Sequence, residues 1–540
     1  MSKRKAPKTP PRATGNQATG TRSVGARAFN RRRQTANGRS PRAQAHKPRG
    51  VGLLARGREA LGRVPRAAWI CALIACLNAI SWSILTPPFE VPDEPAHFAY
   101  TQQLAENTAL PTSSESDFSP EEEAVLTDVH QYDVHDSPEN RTISTAAEQQ
   151  RLQEDLHSGL SRHGGGGASG ARSSPPLYYL LETVPYGLAS GGTLLDQLQA
   201  MRLLSALMAA VTALFVFLFV RETLPSVPWA WTTSALAVAL APLLGFMSGA
   251  VNPDSMLAAV SAIAFYLLAR AFRRGLTRGL ALVIGATMAV GFLTKLNFIG
   301  LAPGLFLGLI LLSVRAARTQ GRSAYLSLGF AVAIAAAPLW LYIFANLLSN
   351  HPALGVVSDS LKLNSAHGSL LGKISYAWQL YLPRLPGMTE YFPGVWTARD
   401  LWFDRWVGFY GWLDTSFPTW VDNLALLPAT LIALLFLRGL LVARSSLRGR
   451  AGETLVYATI CIGLLALIGF SSDLNAASEG LGFVEPRYLL PLFPLLGAAL
   501  AVAARGGGRR WGPAAGAAIV VIFLAHDLFS QLLVVARFYG

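Results

Sequence analysis

The sequence predicts an all-α polytopic membrane protein, and three observations carry that prediction. Of 540 residues, 51% are hydrophobic and only 14% charged, a balance foreign to ordinary soluble domains. Apolar runs close to the roughly 20 residues that cross a bilayer recur from residue 67 onward. Between them, arginines gather in short loops that fall on one side when the runs are taken in turn.

Residues 1–66 come first and form a domain of their own. They hold 18 Lys/Arg against one acid, Glu59, a net +17, which leaves −3 on the other 474 residues. Rich in Pro, Gly, Thr and Ser, this tail is expected to be disordered, cytoplasmic and drawn to anionic membrane lipid. It has no folded module and no interleaved aromatics, so nucleic acid is not an expected partner. Cys71, Cys76 and Cys461 fall in apolar runs, which argues against a disulfide framework or a thiolate metal site.

Residues 67–540 form the transmembrane domain. With Arg/Lys facing the cytoplasm, Ala67–Thr86 exits, Arg202–Val220 returns, Trp229–Gly249 exits and Ser255–Ala271 returns to Arg273-Arg274. Leu280–Phe298 exits, Leu301–Val314 returns to Arg315, Arg318 and Arg322, and Ala324–Leu348 exits. Leu424–Val442 then returns to Arg444, Arg448 and Arg450, and Leu455–Phe470 exits. Tyr488–Ala504 returns to Arg505, Arg509 and Arg510, and Gly516–Val534 exits, for about eleven spans. Pro175–Ala189 is too short and carries Glu182 and Pro185, so it reads as an outer interfacial helix with Tyr178, Tyr179 and Tyr186 at headgroup level.

Two large outer loops result, residues 87–200 and 349–423. Within the first, residues 87–174 hold 16 acids against four arginines, and five of the nine histidines. His130, His135, His157 and His163 match no helical metal pair and read as a solvated loop. Gly164–Gly167 reads as a flexible joint. The second loop, rich in Trp, Tyr and Pro, suits short helices on the bilayer surface.

The chemistry is expected at the outer mouths of the spans. Pro87-Pro88-Phe89-Glu90-Val91-Pro92-Asp93-Glu94-Pro95-Ala96-His97-Phe98 sets three carboxylates and an imidazole after the first span. Ionisable groups there are expensive unless they do something. The prolines stop the helix, and Asp93 and His97 share a face if helix resumes at Pro95. Asn252-Pro253-Asp254-Ser255 opens another span, where Asp254 would serve either as a plain N-cap or in a site. Lys295 in Thr294-Lys295-Leu296-Asn297 either snorkels or meets a phosphate. Arg487 in Glu485-Pro486-Arg487-Tyr488 runs against the inside bias, and its planar fork suits phosphate. No phosphate-binding glycine loop, dinucleotide fingerprint or nucleophile elbow is present.

Several motifs, in this order, resemble one known group. PPFEVPDEPAHF, SSPPLYYLL, RLLSAL, SGAVNPDS, FLTKLNF, FYGWLD (Phe409–Asp414) and EPRYLLPLFP resemble the multispan GT-C glycosyltransferases. They are most similar to a bacterial branch known as predicted integral membrane proteins of unknown function. The resemblance covers roughly residues 67–505. It implies a GT-C-like bundle that transfers a sugar, with inversion, from a polyprenyl-phosphate donor to a cell-envelope glycan, lipid or protein. That reaction would run outside the bacterial cytoplasmic membrane. It implies too that a first-loop carboxylate is the base or binds a divalent metal, magnesium or manganese. Asp93 and Glu94 are the matching residues, Asp93 first, with His97 orienting. Lys295 and Arg487 would stabilise the leaving phosphate, and Glu485, Asn252, Asp254, Tyr178 and Tyr179 would line the substrate site. The alternatives are a transporter or flippase of lipid-linked saccharides, a polysaccharide polymerase or ligase, and a non-catalytic scaffold.

Overall fold

The computed structural model describes residues 64–540, apart from residues 113–114, 135–136, 138–143, 173, 349–352, 354–366, 393–397 and 480–483. The basic tail up to residue 63 and His135 lie outside the described residues. Among the described residues the elements are helices apart from a hairpin of two-residue strands, β1 (Phe409–Tyr410) and β2 (Thr415–Ser416), and an isolated parallel bridge between Ser116 and Gly165.

Each expected span falls on helix. In chain order these are α1 (Arg66–Leu85), α6 (Leu194–Thr223), α7 (Pro228–Ala239) with α8 (Pro242–Ser248), α9 (Pro253–Arg274), α10 (Arg278–Thr294) and α11 (Ala302–Gln320). They continue with α12 (Arg322–Leu348), α14 (Thr419–Gly449), α15 (Ala451–Glu479), α16 (Phe493–Gly506) and α17 (Gly508–Phe538). Among the described residues nine helices are long and apolar enough to cross a membrane. The pair α7–α8, bent by 55°, makes a tenth, and α10 is a shorter apolar helix. The bend falls at Pro242, whose ring cannot continue the preceding helix.

The surface is inverted relative to a soluble protein. On α14, Trp420, Leu424, Leu427, Leu431, Leu434 and Leu441 recur every three to four residues or near multiples of it, and each is more than half exposed. A stripe of this kind would bury itself in water but is at home against lipid tails. Inside, small residues let helices touch: a Cβ on Gly439 of α14 would meet the Val502 carbonyl of α16 at 2.3 Å. Helix α6 lies against α1 and α9, α10 against α12, and α16 against α14 and α17.

The long segment after α1 folds as helices, α2 (Glu94–Asn107), α3 (Pro120–Asp128) and α4 (Ala146–His157), followed by α5 (Leu177–Leu188). Two expectations are corrected here. Gly164–Gly167 is a packed strap, not a flexible joint: Gly166 and Gly167 donate backbone bonds to Ser116 and Asp117. A Cβ on Gly165 or Gly167 would lie 2.3 Å from the Ser119 nitrogen or the Ala96 carbonyl oxygen. The tyrosines of α5 face inward, not toward headgroups. Tyr178, Tyr179 and Tyr186 are buried, and Leu180, Val184 and Leu188 occupy the exposed side. Their hydroxyls explain this, because each finds a polar partner inside: Ser205, His97 and Glu106 respectively. The segment 349–423 contributes α13 (Leu370–Tyr381) and the hairpin.

Candidate functional site

The turn after α1 is held rigidly, and Arg202 of α6 holds it. Its Nε and Nη2 donate to the two Glu94 oxygens at 2.8 and 2.6 Å. Nη1 donates to the Ser83 and Thr86 carbonyls and Nη2 to that of Pro87, each at 2.9 Å. All five guanidinium donors are thereby used. Glu94, fully buried, also accepts from the Phe89 and Val251 N–H groups. Trp412 of the hairpin donates its indole N–H to the Phe89 carbonyl at 2.9 Å.

That framework imposes unusual backbone. Phe89 and Asp93 have φ of 66° and 69°, a left-handed region that non-glycine residues seldom occupy. Such strain persists only where neighbours over-determine it, and it gathers at functional sites. Helix α2 starts at Glu94, so Asp93 is its N-cap, yet its side chain makes no cap bond. The carboxylate turns to Arg487 instead, with Oδ2 2.8 Å from Nη2, and remains 47% exposed. Of the turn's three carboxylates it alone is open, for Glu90 and Glu94 are buried.

The expected partners converge on it from four elements. Arg487 lies in the first turn of a 3-10 helix (Pro486–Leu492) ahead of α16, and its Nε lies 2.6 Å from Glu485 Oε2. Lys295, at the end of α10, donates to Asp254 Oδ1 at 2.7 Å. Asp254 is not the N-cap of α9; Asn252 is, its Oδ1 accepting from the Asp254 N–H while its amide donates to the Pro92 carbonyl. The His97 ring pairs through Nδ1 with the Tyr179 hydroxyl at 2.9 Å. Among the described residues His97 Nε2, Asp254 Oδ2 and Glu485 Oε1 are buried without a hydrogen-bond partner.

The electrostatics differ from group to group. Partial burial raises the Asp93 carboxyl, but Arg487 and Lys295 outweigh it and hold it at about 2. Burial lowers His97 to about 3 against the pull of Asp93, leaving a neutral imidazole at pH 7. Burial pushes the Glu485 carboxyl up, with Arg487 opposing. Glu90 is pushed up to about 8 by burial and then by Asp414.

A divalent metal at Asp93 and Glu94 does not fit this donor set. Both Glu94 oxygens are occupied by Arg202 and backbone N–H groups, while Asp93 turns to a cation. Among the described residues no group of three His, Cys, Asp or Glu is placed to hold a metal. The loop histidines stay apart: His130 pairs with Asp133, His157 with the Gln153 carbonyl and His163 with Asn107. Arg202, Trp412 and Asp414 are the contributors that no site expectation included. An arginine at the outer end of a span, the criterion that selected Arg487, would have found Arg202.

No curated protein matches the chain. Among solved structures it is similar to ArnT from Cupriavidus metallidurans bound to undecaprenyl phosphate, at 14% identity and TM-score 0.44 over 88% of this chain and 74% of that one. The apo ArnT structure gives 15% and 0.41 over 83% of this chain and 60% of that one. The Archaeoglobus fulgidus oligosaccharyltransferase in its apo form gives 12% and 0.41, over 87% and 56%. The chain thus spans well under two thirds of the length of these last two. Sequence is more decisive, because one family model runs through every element that builds the site, from residue 76 to residue 496, and the chain belongs to that family, predicted membrane protein (DUF2142).

Proposed function

We propose that this is a GT-C-type glycosyltransferase moving a sugar from a polyprenyl-phosphate donor to an envelope acceptor on the outer membrane face. The observation that carries the reading is Asp93, a half-exposed carboxylate in strained backbone, between two buried or half-buried cations. The acceptor oxygen attacks the anomeric carbon as its proton passes to Asp93. The bond from that carbon to the phosphate oxygen breaks, and the lipid phosphate leaves with the electron pair. Arg487 and Lys295 stabilise that anion. Glu94 is a positioning residue that, with Arg202, fixes the turn.

Both cations are already paired with carboxylates in the free protein. An arriving donor phosphate must exchange with them. As it draws Arg487 away, Asp93 loses the charge that holds its carboxyl near 2 and becomes a better base. The donor thus arms its own base. His97, paired with the Tyr179 hydroxyl through Nδ1, leaves the buried Nε2 to face substrate, as an N–H donor in the tautomer in which Nδ1 accepts from Tyr179.

The test uses purified protein, radiolabelled polyprenyl-phosphate sugars and acceptor membranes, scored for label leaving the lipid. Asp93→Asn, which keeps shape but accepts no proton, should lower turnover about 10²–10⁴-fold without loss of inserted protein. Normal transfer by Asp93→Asn would overturn the assignment.

A further inference from the structure

We infer that the end of the bundle remote from Asp93 carries a second anion site, a pocket for a phosphate group. Helix α9 runs from Asp254 at the candidate site to Arg273 at the pocket. Its 22 residues span about 33 Å at 1.5 Å per residue, so the two sites cannot share a ligand headgroup. The cavity measures about 130 Å³ and is lined by Glu222, Phe272, Arg273, Arg315, Arg450 and Glu453 among others. A single water needs only roughly 10–15 Å³ of such space.

The charges at this pocket do not cancel. Glu222 is shared by two arginines, Arg273 at 2.9 Å and Arg274 at 2.5 Å. Arg450 donates to the Thr223 carbonyl at 2.6 Å, and the Glu453 carboxylate accepts the Tyr457 O–H at 3.0 Å. Arg315 lies over the Phe272 ring at 5.5 Å, and its Nη2 is 3.1 Å from where a Gly452 Cβ would stand. Among the described residues neither Arg315 nor Arg450 forms an ion pair with a carboxylate. Three guanidinium groups in the lining, Arg273, Arg315 and Arg450, against two carboxylates, Glu222 and Glu453, leave an excess of one positive charge around a partly open cavity, and Arg274 adds a second arginine to Glu222 from outside it.

Planar guanidinium forks drawn from different helices suit a tetrahedral phosphate, and the Arg315 guanidinium lies beside the Phe272 ring. The first turn of α15 also borders the cavity, adding the positive end of a 29-residue helix. Basic pockets between membrane helices take anionic headgroups in this way. The ligand chemistry is a phosphate group, supplied by an anionic phospholipid headgroup or as a free anion. The site is independent of sugar transfer.

The test is thermal unfolding of the full chain in phosphatidylcholine nanodiscs, with either phosphatidylglycerol or inorganic phosphate titrated in. The melting temperature should rise in one arm; the lipid arm marks a headgroup site and the phosphate arm a free-anion site. Arg315→Gln should raise the half-saturating ligand level about tenfold, as for one lost charge-assisted contact. Arg318→Gln, on the same helix but outside the cavity lining, should leave it unchanged and controls for the loss of one positive charge away from the cavity. Should Arg315→Gln not fold, Gly452→Ala crowds the same guanidinium without changing charge and should weaken binding likewise. A flat response in both arms overturns the inference. So does a response that neither the Arg315 nor the Gly452 variant moves.

Discussion

Asp93 illustrates how a single residue can be placed by its neighbours and still remain free to react. Its backbone is fixed by the Arg202 clamp, while its side chain pairs with Arg487 and feels Lys295 from further off. If donor phosphate displaces that contact, the base has two different acidities. The acid limb of kcat/KM reports the free enzyme and should lie far down, set by a carboxyl near 2. The limb of kcat reports the donor complex and should lie at higher pH. Coincident limbs in a pH–rate series would deny the exchange. Arg487 and Lys295 offer a second measurement. A point charge cannot replace two parallel hydrogen bonds, so Arg487→Lys should already be harmful. Arg487→Ala and Lys295→Ala together should lose less than the sum of the single effects, since they serve one phosphate. Strictly additive losses in transfer rate would mean that the two cations act separately. These residues were legible in the sequence because each is an ionisable group at the mouth of a span. Arg202 meets the same criterion, but its role as a clamp was not legible, because three of its five bonds go to backbone carbonyls, which leave no signature in sequence.

At the scale of elements, the loop between α1 and α2 is bound to parts of the chain more than 300 residues away. Trp412 of the hairpin holds Phe89, and Arg537 of α17 lies 3.4 Å from Asp414, the carboxylate that acts on Glu90. Glu90 is nearly fully buried, with Oε2 lacking a hydrogen-bond partner among the described residues. Folded Glu90 keeps a proton up to about 8 that the unfolded chain releases above 4.5. Its stabilisation is therefore complete below 4.5 and drains away as pH rises toward 8, at up to about 1.4 kcal/mol per pH unit. Glu90→Gln cannot ionise, so its melting temperature should fall less steeply than wild type between these limits. Identical slopes would place the titration elsewhere. Periodicity could place α1 and α17 but not this junction, which depends on tertiary contact. The glycine strap shows the same limit. Composition suggested a joint, whereas close approach to Ser119 and Ala96 demanded residues without a side chain. The tyrosines of α5 failed as surface anchors for a related reason: a phenol is equally content at an interface or beside a buried histidine.

For the whole molecule, the helices of the expected spans were legible almost in full, because lipid requires long apolar helices: among the described residues nine qualify, with α7–α8 as a bent pair and α10 shorter. Asp93 with Arg487 lies at one end of α9 and the arginine pocket at the other, and the inside bias of arginine assigns the pocket end to the cytoplasm as an expectation. That orientation can be measured without any assay of chemistry. Ser161 is exposed in the first loop, and Ser446 is exposed near the end of α14 between Arg444 and Arg448. Ser114, an equally natural choice in sequence, lies outside the described residues. The native thiols Cys71, Cys76 and Cys461 all sit within helices α1 and α15, so the background is low for a polar reagent that cannot enter lipid. In intact cells an impermeant maleimide should label Ser161→Cys and spare Ser446→Cys, which should react only after lysis. The reverse pattern would turn the molecule over. It would put Asp93 on the cytoplasmic face and remove the extracytoplasmic transferase reading, while leaving the anion pocket to be tested on its own terms.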